Sequence, residues 1–424
     1  MITIAELIMF LMLLQCLWHI ARTMLVNKKI KQNKNNAASF KETRDEKPKF
    51  FIVIPCLQEQ KIINRTIDDF VNIITSTKID AKLFIVTTDK EKLLTNQGKT
   101  TFDIVKEKID TSDSYKDIKL LNYPGVNGMM ADQLNYAFDT IYKMYDIDEK
   151  SSYFCVYNAD SRPGKDAFLQ AKTVALKKHF PLIMQEYSAF FSNLNTLSPI
   201  MQGFAVYQTN FELINGLTNA ILPSIFLRNH VVGHGLFVRF DYLKRIGSFN
   251  TEFWCEDIYL SFYLRSQGII IEPLFALEYG ESPKNIQILA KQNANWFKTL
   301  SDNKKFYQIL SKNKDTKQLN TFLYYLNQVR GAFAWLLLPS FYLVIFIFLI
   351  FINSGLALVF TLVYLTTTFL RFWLSNSIAK NLHGKLPVNN FLLAFESSIA
   401  YLISNVGPLY LVFHRKGTKY KTER

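Results

Sequence analysis

The chain has 424 residues, 49% of them hydrophobic and 15% aromatic, with a formal net charge of +14. That apolar content excludes a disordered polypeptide, and the length has room for one large catalytic domain or two modest ones plus membrane segments. The positive charge suits nucleic acid or an anionic membrane face, but no zinc-finger spacing or RNA-binding signature appears and three long apolar stretches favour the membrane.

Residues 2–26 are a nearly uncharged run long enough to cross a bilayer, with Glu6 and Arg22 near its two ends where they can reach the interface. No basic segment precedes it and no small-residue cleavage site follows, so residues 1–27 read as an uncleaved anchor. Residues 28–48 read as a basic, unfolded tether lying along anionic lipid. Their lysines place this side in the cytosol and the N-terminus outside. Cys16, Cys56, Cys155 and Cys255 are far apart with no CxxC pair, which predicts reduced, structural thiols.

From Lys49 the pattern changes. Short apolar runs at 50–55, 82–89, 118–124 and 153–157 alternate with helical spacing, which predicts βαβ units and a parallel sheet. Residues 125–135 form a loop leading into a helix. Residues 201–215 read as a strand running into a helix. Residues 231–250 carry two glycines around His234, then a strand, then a short helix ended by Gly247. Glu256 and Asp257 stand just ahead of apolar residues at helical spacing, so the two carboxylates occupy a helix N-terminus. A strand and exit loop follow, and residues 291–297 begin another helix. The domain is expected over 49–300, with an interfacial helical region at 301–333. Residues 334–353 and 355–374 are expected spans. The stretch 391–413, with Glu396, Asn405, Gly407 and Pro408, either spans or dips in and returns. A third full crossing would put the basic tail outside, against the positive-inside bias, so 334–424 holds two or three spans.

The organising stretch is 153–165, where a buried strand breaks into Asn158-Ala159-Asp160 and Ser161-Arg162-Pro163-Gly164. Open α/β sheets bind ligands at the carboxyl ends of such strands. Asp160 offers a hard oxygen ligand of the kind Mg²⁺ or Mn²⁺ accepts beside substrate phosphates; its plainer reading is a turn residue capping the next helix.

The order of segments resembles the family 2 glycosyltransferases with a GT-A fold, in particular membrane synthases of the hyaluronan, chitin and cellulose type. It runs from the strand ending in Pro55 through Asp89, 128–135, 158–163, the glycines about His234, Cys255-Glu256-Asp257 and Gln292–Trp296 to membrane helices. The resemblance implies a nucleotide-sugar-binding, Rossmann-like α/β domain on the cytosolic side, between N- and C-terminal transmembrane helices. It also implies roles. Pro55 and Glu59 border the nucleotide base and ribose, and Asp89 contacts the base. Gln133 contacts donor or acceptor hydroxyls. Asn158 replaces the first aspartate of the metal element, and Asp160 binds the cation. Asp257 is the general base, with Glu256 beside it raising its pKa. His234 lies near the acceptor end, and Gln292 and Trp296 belong to a box in which Asn295 stands where arginine is expected. Plainer readings are a surface Glu59, dipole-stabilising charges at 256–257, a structural His234 and an interfacial Trp296.

The expected activity is inverting transfer of a sugar from a nucleotide-diphospho-sugar, UDP-linked by preference, to a growing polysaccharide, with Mg²⁺ or Mn²⁺. The alternatives are a single transfer to a polyprenyl phosphate or other lipid, and an inactive scaffolding paralogue. The expected location is the plasma or inner membrane, multi-pass, in contact with membrane lipids.

Overall fold

The structure, a computed structural model, describes residues 2–38, 47–94, 98–224, 230–383 and 391–413. Its centre is a seven-stranded sheet: β1 (Lys49–Pro55), β2 (Ala81–Thr88), β3 (Lys119–Tyr123), β4 (Ser152–Val156), β5 (Ile183–Ala189), β6 (Leu236–Arg239) and β7 (Glu272–Tyr279). The spatial order is β3-β2-β1-β4-β6-β5-β7. Strands β3, β2, β1 and β4 pair in parallel, as expected. The sheet as a whole is mixed, because β6 runs antiparallel to both β4 and β5. That single reversed strand corrects the expectation of an all-parallel sheet.

Helices alternate with the strands: α1 (Ile2–Ala38), α2 (Ile63–Thr77), α3 (Lys90–Leu94), α4 (Thr101–Thr111), α5 (Met130–Met144), α6 (Ala167–Lys177), α7 (Pro199–Asn210), α8 (Thr218–Ile221), α9 (Phe240–Arg245) and α10 (Glu256–Gln267). After β7 come α11 (Ile286–Ser301), α12 (Asn303–Leu310), α13 (Gln318–Ile352), α14 (Ser354–His383), α15 (Phe391–Leu402) and α16 (Val406–Phe413).

Every residue of β4 is buried, because helices cover both sheet faces. Alternate residues sort by face. Phe50, Ile52, Ile54, Tyr153 and Cys155 pack with Ile67 and Phe70 of α2 and Phe168 of α6. Phe51, Val53, Phe154 and Val156 pack with Leu134, Ala137 and Phe138 of α5. Among the described residues the four cysteines form no disulfide, and two of them are buried in this core.

Residues 201–215 hold no strand. The segment is α7, started by Pro199 at its first turn, running directly into a π-helical turn, Phe211–Leu217. Tertiary packing overrides its β-prone composition: Gly203 lies against α15 so closely that a Cβ there would overlap the carbonyl oxygen of Glu396.

Among the described residues four helical stretches are long and apolar enough to cross a membrane: Ile2–Lys34, Gln318–Ile352, Ser354–Leu382 and Phe391–Phe413. α1 does not stop at residue 27. It continues to Ala38, with Lys29 donating to the Ile221 carbonyl and Lys34 to that of Leu382, so these lysines close helix ends rather than float in a tether. Residues 39–46 lie outside the described residues. Arg22 is also corrected: it is buried and donates to Asn219 Oδ1 at 2.8 Å and to the Thr218 carbonyl.

α13 is one 35-residue helix, so the expected interfacial region after residue 317 is its first turns. The last apolar stretch is broken at Ile403–Asn405. Asn405 Nδ2 donates to the Leu336 carbonyl and to Ser340 Oγ on either side of Pro339, and Trp335 Nε1 donates to the Ser404 carbonyl. These bonds tie the break in the last stretch to the proline-containing part of α13. The basic tail, 414–424, lies outside the described residues.

Candidate active site

The turn after β4 is held from three sides. Tyr157 N–H still donates to Val53, extending the β1–β4 ladder, and then Asn158 N–H donates to Ser161 Oγ while Ser161 N–H donates to the Asn158 carbonyl. Arg162 pairs with Asp69 of α2 at 2.7 Å and exchanges two backbone hydrogen bonds with Tyr279 of β7. Thr66 of α2 donates to the Ala159 carbonyl. Asp160 is therefore presented on a fixed turn at the carboxyl end of β4, and it is 9% exposed.

Beside it lies a buried polar layer. Glu186 of β5 accepts from Tyr157 Oη at 2.8 Å and from Gly164 N–H at 2.9 Å. Glu278 of β7 lies 2.8 Å from His234 Nδ1, and Ser188 Oγ lies within 3.4 Å of both. The loop carrying His234 is anchored by Gln185, whose side chain accepts from Val232 N–H and donates to the His234 carbonyl. Gly235 has φ +61°, and a Cβ there would lie 2.8 Å from the Glu186 carbonyl oxygen and 2.9 Å from Glu278 Oε2. Only glycine turns the chain there at that proximity.

Asp257 stands in the first turn of α10, as the sequence predicts, and Gly233 N–H donates to its Oδ2 at 2.9 Å. A Cβ on Gly233 would come within 3.3 Å of Asp257 and 3.4 Å of Glu256, so this glycine lets the backbone reach both carboxylates. A cavity of about 130 Å³ flanks Glu256 on another side, lined also by Ser248, Asn250, Tyr259 and Tyr263.

The electrostatics tie these parts together. Burial raises the Asp257 carboxyl above its ordinary range, against the N–H groups of Ile258 and Gly233 and the charge of His234, which favour the anion. The sequence argument assigned this rise to Glu256; its largest cause is desolvation. Burial alone would push the His234 ring towards neutrality, yet the charge of Glu278 and its hydrogen bond raise it to about 9, with Glu212 and Asp160 adding to the pull. Burial and the nearby Glu278 raise Glu186 to about 8. His234 thus feels both Asp160 and Asp257.

The other candidates divide. Pro55 ends β1 beside Val86, and Glu59 is buried at the following bend, its N–H donating to Thr101 Oγ1. Asp89 is bound by Lys92 at 2.6 Å and by Asn122 at 2.9 Å, which hold its carboxyl low. Gln133 is buried, and its Nε2 donates to the carbonyls of Cys56 and Val86, tying the ends of β1 and β2 to α5. Gln292 and Trp296 lie one turn apart on α11. Gln292 Oε1 is buried with no hydrogen-bond partner among the described residues, and Trp296 is 36% exposed. Lys298 of α11 places its Nζ 3.9 Å from the ring centre of Trp254, three residues before Asp257.

Sequence reasoning missed Glu186 and Glu278. Glu278 was an acid inside a largely apolar strand run and Glu186 stood among the polar Gln185 and Ser188, patterns that period-two reasoning does not interpret when both faces are buried.

Among the described residues no group of three or more His, Cys, Asp or Glu side chains could hold a metal ion. Asp160 therefore belongs to no preformed cage. The single buried carboxylate fits an ion that arrives already bound to phosphates, since Mg²⁺ in such sites takes one or two protein carboxylates.

No family model and no curated protein matches this sequence. Many solved structures are similar to it, among them these three. A mannosyltransferase from Pyrobaculum calidifontis, in complex with GDP-Man and Mn2+, is 12% identical over 97% of this chain and 100% of that chain, at a TM-score of 0.47. S. aureus TarS residues 1–349 is 11% identical over 88% and 93%, at 0.42. A second TarS structure is 10% identical over 84% of this chain and 55% of its own length, at 0.39.

Proposed function

We propose that the chain is a membrane-anchored, inverting glycosyltransferase with a GT-A-like sheet domain on the cytosolic side, moving a sugar from a nucleotide-diphospho-sugar to a growing polysaccharide. The observation that carries this reading is the loop about His234: Gly233 N–H holds Asp257, the adjoining His234 pairs with Glu278, and Asp160, a carboxylate suited to a phosphate-bound cation, lies within electrostatic reach of the same ring.

In this reading Asp257 accepts the proton of the acceptor hydroxyl as it attacks the anomeric carbon. Its raised pKa makes it a stronger base than an exposed carboxylate, and Gly233 N–H aims it. The nucleoside diphosphate departs from the opposite face. His234, its Nδ1 committed to Glu278, has Nε2 left to donate to a departing phosphate oxygen, and the buried pair keeps the ring cationic. Asp160 would hold the Mg²⁺ or Mn²⁺ that accompanies the donor; such an ion, when bound, neutralises charge on the leaving diphosphate. Trp296 offers an exposed face for a sugar ring to stack on.

Single addition to a lipid-borne acceptor is the second reading, favoured by Asn295 standing where a diphosphate-binding arginine is expected. Incubating the purified full chain in detergent with UDP- and GDP-sugars plus Mn²⁺ tests both. Release of nucleoside diphosphate supports sugar transfer, and product size separates polymer from single addition. No release with any donor, from protein that stays folded, contradicts transfer.

A further inference from the structure

The membrane part contains a basic side chain that sugar transfer does not use. Arg371 lies inside the apolar helix α14, and it is only partly exposed. An ionised group at that depth needs an anionic or polar partner. Among the described residues neither Glu396 nor any other carboxylate pairs with it, and its guanidinium makes no hydrogen bond; it rests over the ring of Tyr401 at 5.8 Å.

Its neighbours point to an anion. Tyr207, Tyr342 and Tyr364 lie within its electrostatic reach, as does His19 of α1. His19 is 7% exposed, and neither ring nitrogen has a hydrogen-bond partner among the described residues. Arg22, one turn further along α1, adds a second buried cation.

Depth completes the picture. Ser375, one turn past Arg371, bonds Asn210 of α7, and Asn27 of α1 donates to Ser377, so this end of α14 faces the sheet domain. Two turns in the other direction, about 10 Å along the helix, lies Tyr364. There α13, α14 and α15 enclose an apolar cavity of about 160 Å³, lined by Tyr342, Phe346, Phe360, Tyr364, Leu365 and Phe395. A hollow of this size takes a small apolar guest. It opens onto Leu343, Phe395 and Ile399, apolar side chains exposed on the helix surface. Tyr401 packs its ring, tilted, against both Tyr342 and Tyr364 and so links cavity to cation.

We propose that Arg371, with His19, binds the phosphate of an anionic bilayer phospholipid, one chain of which enters the cavity between α13, α14 and α15 from the side. A cation near the domain-facing end and an apolar hollow deeper in the span match a lipid's two parts, and the lateral opening admits a molecule already in the bilayer.

The full chain in mixed micelles of equimolar phosphatidylglycerol and phosphatidylcholine, followed by native mass spectrometry, tests this. Wild type should retain phosphatidylglycerol in about fivefold preference, the worth of one basic group near an anionic headgroup. Arg371→Gln should bring the ratio to about one, and Leu365→Trp, which fills the hollow and leaves Arg371 in place, should reduce retention of both lipids. Equal retention by wild type, or an unchanged preference in a folded Arg371→Gln protein, overturns the proposal. A polyprenyl phosphate retained where phosphatidylglycerol is not would also overturn it, by assigning the site to a different lipid. None of these readouts depends on sugar transfer.

Discussion

Glu278→Gln is the sharpest probe of the buried polar layer. The substitution keeps shape and an acceptor oxygen but removes the charge 2.8 Å from His234. In wild type that charge lifts His234 from an ordinary 6.5 to about 9, against burial. The difference corresponds to ~3 kcal/mol of preference for the cationic ring. The sign follows from linkage: a histidine raised on folding stabilises fully below pH 6.5, and that stabilisation is lost as pH climbs through about 9. Glu186, raised to about 8 with Glu278 among the causes, acts in the same direction, since its ionisation at higher pH sets two carboxylates against each other in wild type. In the variant the pull of Glu278 is gone, burial opposes only the smaller pulls of Glu212 and Asp160, and the ring loses its protonation preference. Thermal unfolding in detergent, followed by tryptophan fluorescence, should therefore show wild type more stable by ~3 kcal/mol at pH 6, with the gap closing by pH 10. A gap that stays constant or widens with pH would refute the account of this pair.

Other consequences are direct. Asp160→Asn should lose the Mn²⁺-dependent part of nucleoside diphosphate binding, measured by calorimetry with and without chelator; unchanged Mn²⁺ dependence removes Asp160 as the ion's ligand. Gly203→Ala should destabilise the protein by ~1–3 kcal/mol, because the added methyl meets backbone of α15 that side-chain rotation cannot relieve. A melting temperature equal to wild type would show that α7 and α15 separate readily. Gln133→Leu should lower stability by ~1–3 kcal/mol, leaving the carbonyls of Cys56 and Val86 short of a donor, with donor affinity retained. Loss of donor affinity in a stable variant would show that Gln133 contacts the donor.

Much of the sheet was legible because β1, β2 and β4 are short, apolar and bounded by turns. β5 was not, since Gln185, Glu186 and Ser188 give it a polar look that only burial beneath His234 explains. The 201–215 segment misled for the opposite reason: its β-prone side chains pack as a helix against α15, a partner almost two hundred residues away. In the site, Asp160 and Asp257 announced themselves by standing where apolar runs break. Glu278 did not, because its meaning depends on His234, 44 positions earlier, and on a depth that no local pattern encodes. The extension of α1 past residue 27 was equally hidden, since its lysines find their acceptors on α8 and α14.

The central claim is that Asp160 and Asp257 serve one anomeric carbon. Asp257→Asn measured by paired assays, nucleoside diphosphate binding with Mn²⁺ and nucleoside diphosphate release from the accepted donor, tests it most directly. The account predicts binding unchanged and release slowed by about 10²–10⁴-fold. Release at the wild-type rate, or binding lost together with release, would contradict it.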